Sequence, residues 1–167
     1  MPVKNPKELV ILMLSDVRQN AERMTAMLGE LSNIAEDPQV TEALEESEFV
    51  AGQTVAKLDQ CFKLIGEKPL KLKGRLREVW IEETLKEAAE ISSPVARKLW
   101  ALSKGIQLIH LRIAEYLALI AAAEITGNQE VRALLESCLA DKMAAVDRGR
   151  RLIRAIAENK ISERSVA

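Results

Sequence analysis

Aromatic residues are scarce in this chain of 167 residues, where two Trp, one Tyr and two Phe make up 3% of the sequence. Base stacking on single-stranded nucleic acid needs exposed aromatic rings, so that function is not indicated. The charges do not favour it either, because 24 Lys and Arg are balanced by 25 Asp and Glu. A chain so nearly neutral has no strong overall field to attract nucleic acid or a membrane surface.

Cysteine is also rare, and the two cysteines, Cys61 and Cys138, lie far apart. This spacing excludes a disulfide framework and a zinc motif. We interpret both as small buried hydrophobic residues. No secretory signal is evident at the N-terminus, so we expect a cytoplasmic protein. The apolar run over 106–125 contains His110, Arg112 and two glutamates, which argues against a membrane span.

Proline and glycine are few, and several of them stand where helices should begin or end. Asn5-Pro6, Asp37-Pro38 and Ser93-Pro94 each place a capping side chain before a proline at the first helical position. Gly66 and Gly127 are typical of helix ends. These signals predict long helices over 6–36, 38–65, 94–126 and 129–158, and a shorter helix near 75–90.

The lengths of the connections predict the topology. Tight links at 37 and 127 make the first and last pairs of long helices antiparallel hairpins, and the long middle connection crosses over between them. We therefore predict an all-α four-helix bundle with a short fifth helix in the crossover. The whole chain, 1–167, is expected to form one domain with its core over about 6–158 and a frayed tail after about Ser162.

Each predicted inward stripe is apolar at both ends and polar near its middle. In antiparallel hairpins, positions equally distant from the turn lie side by side, so the interruptions can meet in one polar layer. For Lys142 and Asp16, extension to solvent is an equally good interpretation. His110 is flanked by apolar residues, so we expect it to be buried. The interruptions are Asp16 and Asn20, Ser47 and Thr54, His110 and Arg112, and Asp141 and Lys142.

A polar layer halfway along a four-helix bundle is where di-iron carboxylate proteins hold their metals. That site takes a Glu from each of two helices and Glu-x-x-His from each of the other two. This chain has a single histidine, and Gln107 rather than Glu precedes His110 by three residues. The standard site therefore cannot form from one chain.

Four segments, in order, resemble the YciF/YciE-like branch of the ferritin-like proteins. They are SDVRQNAERMTAMLGEL (15–31), KLDQCFKLIGEKP (57–69), LIHLRIAEYLALIAAAEITG (108–127) and LLESCLADKMAAVDR (134–148). The resemblance extends over about 6–157. It implies a ferritin-like bundle, a homodimer and an association with stress.

Carried over residue by residue, the resemblance implies that most candidate metal-ligand positions have changed. Only His110 and Asp141 keep side chains that bind metals, so no metal is expected, and any that did bind would use those two. The family's glutamates and histidine fall on Ala21, Ser47, Val50, Ile109, Arg112, Ala140, Asp141 and Lys142, while His110 matches. We regard Ser47, His110, Arg112, Asp141 and Lys142 as a vestigial polar layer.

Arg112 stands where the resemblance implies a carboxylate, and a guanidinium there can supply positive charge that a metal once supplied. Because guanidinium groups bind carboxylates in bidentate fashion, Asp141 is the expected partner. If that pair is buried, removal of one partner should cost about 3–5 kcal/mol.

Three functions are compatible with these patterns. We favour a non-catalytic, metal-free ferritin-like protein. The second is a metal carrier or oxidoreductase that holds iron or manganese in a rebuilt site. Its candidate ligands are Asp16, Glu22, Glu48, His110, Glu115 and Asp141.

The third function is an interaction module. It would bind a protein partner, or a second subunit, through the crossover helix, where Val79, Trp80, Ile81 and Leu85 form an apolar face. The basic segment KPLKLKGRLR (68–77) is flanked by glutamates and contains no aromatic residue, so we interpret it as a solvated connection rather than a nucleic-acid site.

Overall fold

The computed structural model describes residues 3–72 and 76–165, and these ranges contain no β-strand. The predicted all-α fold is confirmed. The helices are α1 (Pro6–Ala35), α2 (Pro38–Ile65), α3 (Leu76–Ala89), α4 (Pro94–Ile125) and α5 (Gln129–Ser165). The first four agree with the predicted bounds to within a residue. The predicted end of α5 at 158 is too early, because the helix continues to Ser165, into the segment expected to fray.

The three predicted N-caps stabilise the starts of α1, α2 and α4. The side chains of Asn5, Asp37 and Ser93 each accept hydrogen bonds from backbone N–H groups of the first turn. Helix α2 ends at Gly66, whose φ of 74° is left-handed and whose amide bonds back to the last turn. The cap residues therefore set the bounds of the helices.

The four long helices occupy the corners of a square. Helix α1 packs against α2 and α4, and α5 packs against the same two helices, so α2 lies diagonally opposite α4. The crossover is attached to α1 by side chains. Gln19 both donates to and accepts from the backbone of Leu72, and the Ser15 hydroxyl accepts from the Leu70 N–H. Residues 73–75 of the basic segment, and the side chains at 76 and 77, lie outside the described residues.

Helix α3 packs on the bundle beside α4. Thr84 and Ala88 are buried, Trp80 packs against the core, and Glu87 pairs with Lys104 of α4 at 2.5 Å. Val79 and Leu85 are exposed, while the side chain of Ile81 lies outside the described residues. The predicted apolar face of the crossover helix is therefore divided between the core and the surface.

The core consists of two apolar clusters, one toward each end of the bundle. The first apolar cluster takes Leu14, Leu58, Leu119 and Leu135 from α1, α2, α4 and α5. The second takes Leu28, Leu44, Leu102 and Val146 from the same four helices. Cys61 and Cys138 are free and buried in the first cluster, where burial raises the pKa of the Cys61 thiol to about 12.

The predicted inward stripes were right for α2 and wrong for parts of α1 and α4. The sequence predicts that the α1 stripe starts with Leu9, Leu12 and Met13, but the start of the helix buries Val10 and Leu14 and leaves Leu9 39% exposed. In α4 the buried stripe includes Arg112 and Tyr116, and Leu117 is 55% exposed. Helix α4 is apolar on several sides, so periodicity alone did not identify its inner face.

Two helical glycines should respond oppositely to alanine. At Gly149 of α5 an added Cβ would lie 2.9 Å from Ile106 side-chain atoms, whereas Gly52 of α2 has open space. We expect Gly149→Ala to destabilise by about 1–3 kcal/mol through overpacking, and Gly52→Ala to stabilise by about 0.5–1 kcal/mol through helix propensity. Urea unfolding at one protein concentration measures both. Equal stabilisation by the two changes would contradict the close packing of α4 and α5.

Candidate functional site

A layer of buried polar side chains separates the two apolar clusters. It contains one residue from each long helix: Asn20, Thr54, Arg112 and Lys142, all at least 93% buried. We call these four residues the polar layer. Two of them are cations, so the middle of the bundle carries positive charge.

Arg112 is supported by acidic side chains at the edge between α1 and α4. Its Nη1 lies 2.6 Å from Oε2 of Glu115, one turn along the same helix. The side-chain amide of Asn20 links these acids, because its Nδ2 donates to Glu115 at 3.5 Å and to Asp16 at 3.0 Å. Burial nevertheless lowers the pKa of Arg112, and the attraction of Glu115 and Asp16 opposes that shift only in part.

Lys142 has weaker support. Its Nζ donates to the Thr54 hydroxyl at 3.5 Å, and that hydroxyl in turn donates to the Val50 carbonyl. Among the described residues no carboxylate forms an ion pair with Lys142. Burial is the main cause that lowers the pKa of Lys142. Cys138 and the Asp141 carboxylate oppose that shift, and the positive charges of Lys57 and Arg112 add to it.

A cavity of about 10 Å³ lies beside the two cations. Tyr116 is one of the lining residues; burial raises the pKa of its phenol, and the neighbouring Cys138 thiol raises it further. Arg112, which also lines the cavity, directs Nη1 to the Glu115 carboxylate at 2.6 Å. The lining residues are Val17, Ala21, Met24, Ala51, Arg112, Tyr116 and Lys142.

His110 lies outside the polar layer, so its predicted burial is wrong. The side chain is exposed, whereas Arg112 is buried. Two residues along an α-helix turn the side chain through about 200°, so these residues point to nearly opposite sides of α4. His110 and Arg112 cannot both reach the bundle interior.

The predicted pairing of Arg112 with Asp141 is also wrong. Asp141 binds Lys57 of α2 at 2.8 Å, and Arg112 is turned toward the Glu115 side of its helix. Counting residues from the turn gives the height of a side chain along the bundle but not the direction in which it points. Lys142, the neighbour of Asp141, takes the interior position instead.

The remaining predicted site residues do not assemble into a ligand set. Ser47 is half-buried and donates to the Ala43 carbonyl of its own helix. Glu22 is engaged outside the layer with Arg18, at 2.7 Å. Within residues 3–72 and 76–165 no group of three or more His, Cys, Asp or Glu side chains could hold a metal ion. The polar layer therefore does not fit the carboxylate and histidine set that a di-metal centre requires.

Sequence reasoning missed two residues of the site, Tyr116 and Lys57. Tyr116 is one turn beyond Arg112 and so lies on the same face of α4, a spacing that identifies it once Arg112 is known to be buried. Lys57 stands one turn after Thr54, on the edge of a stripe that was correctly predicted. Neither spacing can be used before the inner face is known.

The two antiparallel hairpins and the long crossover give a four-helix bundle of the ferritin-like fold, with two cations in its central layer. The chain belongs to the family described as "Domain of unknown function (DUF892)", whose model matches residues 5–164. The family assignment agrees with the resemblance seen in the sequence. No curated protein matches the chain.

Solved structures share this fold. The E. coli stress protein YciF has a TM-score of 0.87 at 20% identity, covering 93% of this chain and 99% of its own. YcfI of Rhodopseudomonas palustris, described as a candidate structural protein, has a TM-score of 0.83 at 23% identity, with 89% and 94% covered. A protein from Xanthomonas campestris has a TM-score of 0.73 at 19% identity, with 96% and 98% covered. At these identities the similarity establishes the fold alone.

Removing the charge of Lys142 should stabilise the protein. The change Lys142→Met leaves Thr54 bonded to Val50, so no buried group is stranded, and we expect a gain of about 1–3 kcal/mol at pH 7. Lys104→Met, which removes a lysine paired with Glu87 outside the layer, is the matched control and should shift stability by less than about 1 kcal/mol.

The advantage of Lys142→Met should shrink as the pH rises. Burial lowers the pKa of Lys142 below its ordinary value of 10.5, so the unfolded chain binds this proton more tightly than the folded one. The destabilisation by Lys142 is complete below its folded-state pKa and is relieved as the pH rises from that value toward 10.5. Unfolding curves of both proteins between pH 7 and the alkaline limit measure the difference. A difference independent of pH would contradict the lowered pKa.

Proposed function

We propose that this protein is a non-catalytic ferritin-like protein that has lost its di-metal centre and serves a structural, stress-associated role in the cytoplasm. The observation that carries the proposal is the pair of cations, Arg112 and Lys142, buried in the middle layer. A metal centre there would bring further positive charge next to two charges that are already poorly solvated. The nearest acids, Asp141 and Glu115, are engaged by Lys57 and Arg112.

The structural and stress-associated parts of the proposal are supported by the names of proteins with the same fold. YciF is called a stress protein and YcfI a candidate structural protein. The interior of the bundle also supports the non-catalytic part of the proposal. With His110 on the outer surface, the described interior contains no imidazole that could act as a proton-transfer group.

Metal content tests the loss of the metal centre. Tag-free protein grown with iron, manganese and zinc, and then titrated anaerobically with ferrous iron, should retain less than a tenth of an equivalent and show no saturable binding. Mass spectrometry and the titration curve give the two numbers.

A metal site would be revealed by a different pattern in the same experiment. Retention of one or two equivalents per chain, lost in Asp141→Asn or in Glu115→Gln, would overturn the proposal and favour a rebuilt iron or manganese site. His110→Ala should change nothing in either measurement, since its side chain lies on the outer surface of α4. Loss of bound metal in His110→Ala alone would point to a surface site.

We also propose that two copies of the chain pair through the outside of α4. Leu111, Ala114, Ala118, Ala121 and Ile125 are all exposed and follow one another at alternating steps of three and four residues. This is the heptad spacing by which helices pack in pairs. We call these residues the α4 outer stripe.

A second copy of the chain is the occupant that suits this surface best. The stripe has small residues at its centre and large ones at its ends, so an antiparallel copy meets it with close backbone contact, and a twofold axis makes the same surface serve both chains. Leu117, beside the stripe, adds to the apolar area. Judged by length and composition alone, α4 is also long and apolar enough to span a membrane. In the bundle, 39% of its most apolar 18-residue window is buried.

A charge at the centre of the stripe should separate the dimer. We expect the native protein to have twice the 18.5 kDa mass of one chain, and Ala118→Arg to have the mass of one chain while remaining helical. Ala56→Arg is the matched control, because Ala56 is exposed on α2, diagonally opposite α4. Light scattering after gel filtration measures the masses, and circular dichroism the helicity. A native protein with the mass of one chain would contradict the dimer. A dimer that survives Ala118→Arg would place the interface elsewhere, and its loss in Ala56→Arg would place it on α2.

A further inference from the structure

The two hairpins of the bundle carry opposite excess charge. Helices α1 and α2 together contain nine acidic and five basic residues, whereas α4 and α5 contain eight acidic and twelve basic ones. The basic excess remains when the buried Arg112 and Lys142 are set aside. Because each hairpin forms one side of the square, folding places an acidic side opposite a basic side in a chain that is nearly neutral overall.

The exposed corner of α2 presents an aromatic ring beside acidic side chains. Phe49 is 67% exposed, although the other four aromatic residues are buried or partly buried. Glu42, Glu45 and Glu46, one and two turns before it, are exposed. Glu46 pairs with Arg148 of α5, whereas Glu42 and Glu45 form no ion pair among the described residues. Aromatic residues are enriched where proteins bind one another, and we call Glu42, Glu45 and Phe49 the α2 knob.

Arginines without a bound carboxylate surround a hollow on the outer surface of α5. The hollow measures about 400 Å³ and is lined by Asp147, Arg150, Arg151 and Arg154. All three arginines are exposed, and none forms an ion pair in the part of the chain that the structure describes. Guanidinium groups bind carboxylates in bidentate fashion and stack on aromatic rings. This hollow, which we call the α5 hollow, therefore suits a surface that combines glutamates with an aromatic ring.

The α2 knob and the α5 hollow lie at one height along the bundle. Helices α2 and α5 are antiparallel, and Lys142 lies beside Thr54, with 3.5 Å between Nζ and the hydroxyl oxygen. Equal numbers of residues counted from that contact span equal heights. Helical side chains lean toward the N-terminus of their helix, so the Phe49 ring is drawn toward the height of the glutamates. The residues that the count makes level are Glu45 with Arg151 and Glu42 with Arg154.

A second copy of the chain in the same orientation brings the α2 knob and the α5 hollow together. Within one chain they are separated by a groove of about 520 Å³ between α2 and α5, with Glu42 on one wall and Arg151 on the other. A copy displaced sideways without rotation presents its α2 knob to the α5 hollow at matching height. Because the contact joins two different surfaces, each end of a row keeps one of them unused, and the row can grow.

We propose that copies of this chain associate side by side, with the α2 knob of one copy in the α5 hollow of the next. The Glu42 and Glu45 carboxylates bind the arginine guanidinium groups, and the Phe49 ring lies against those groups. The contact uses neither the polar layer nor the α4 outer stripe, so it goes beyond the function proposed above and links dimers into larger assemblies. Exposed ion pairs are weak and are screened by salt. The rows therefore form in concentrated protein at low salt, and dilute protein keeps the mass of the dimer.

The salt dependence of the molecular mass tests this contact. Static light scattering on concentrated protein, without a column, compares about 0.01 M salt, where charges act over about 30 Å, with about 1 M salt, where they act over about 3 Å. We expect the mass at low salt to be at least about twice that of the dimer and to return to that of the dimer at high salt. A mass that is the same at both salt concentrations would overturn the proposal.

Charge reversal on either surface identifies the two sides of the contact. Glu42→Lys with Glu45→Lys makes the knob basic, and Arg151→Glu with Arg154→Glu makes the hollow acidic, so like charges meet in each variant and neither should grow beyond the dimer. An equimolar mixture joins each reversed surface to its opposite and should restore growth. All four side chains are exposed and unpaired, so circular dichroism should show native helicity. Growth in either variant alone, or none in the mixture, would contradict the contact.

Two controls separate this contact from other effects. Glu82→Lys with Glu90→Lys makes the same change in net charge at exposed positions of the crossover and should leave growth intact, whereas lost growth would show a general charge effect and overturn the proposal. Ala118→Arg should still form rows at low salt and fall to the mass of one chain at high salt. Loss of its rows would place the contact on α4 and overturn the proposal. A native protein that forms rows but has the mass of one chain at high salt would contradict the dimer alone.

Discussion

The burial of two positive charges in one layer is the constraint on which the rest of this bundle depends. Arg112 and Lys142 lie between two apolar clusters, and both lose most of their contact with water. Removing an ion from water costs several kcal/mol even after relaxation, and partners must offset that cost. The offset is uneven, because Arg112 has Glu115 at 2.6 Å while Lys142 has only a hydroxyl. The layer is therefore tolerated by the fold rather than a source of its stability.

A costly layer can still determine how the helices align. Lys142 stands four residues from Cys138 and four from Val146, so a slip of α5 by one turn would push its ammonium group into an apolar cluster. Charged groups cannot enter such a cluster without partners. The layer thus disfavours packings in which the four apolar stripes are shifted against one another. Leucine in place of Arg112 and Lys142 would not impose this restriction. The clusters supply the stability, and the cations restrict the register.

The sequence predicts those parts of the fold in which a residue type has a single structural role, such as capping the start of a helix. Asn5, Asp37 and Ser93 precede prolines, and each begins a helix as predicted. The inward face of α2 was also predictable, since its outer face is charged. The inner face of α4 was not, because Leu111 and Leu117 on its outside are as apolar as the core. The partner of Arg112 depends on the direction of its side chain, which a spacing along one sequence does not give.

The two sides of α4 invert the usual arrangement of a surface helix. Its inner face buries Arg112 and Tyr116, while its outer stripe exposes leucine, isoleucine and alanine. In an isolated chain both features are unfavourable, because charge is removed from water and apolar surface is left in it. A second chain on the outer stripe would remove the apolar surface, and Glu115, 2.6 Å from Nη1, compensates part of the Arg112 charge within one chain. The metal-free layer and the dimer therefore concern the two faces of one helix, and either proposal can fail without the other.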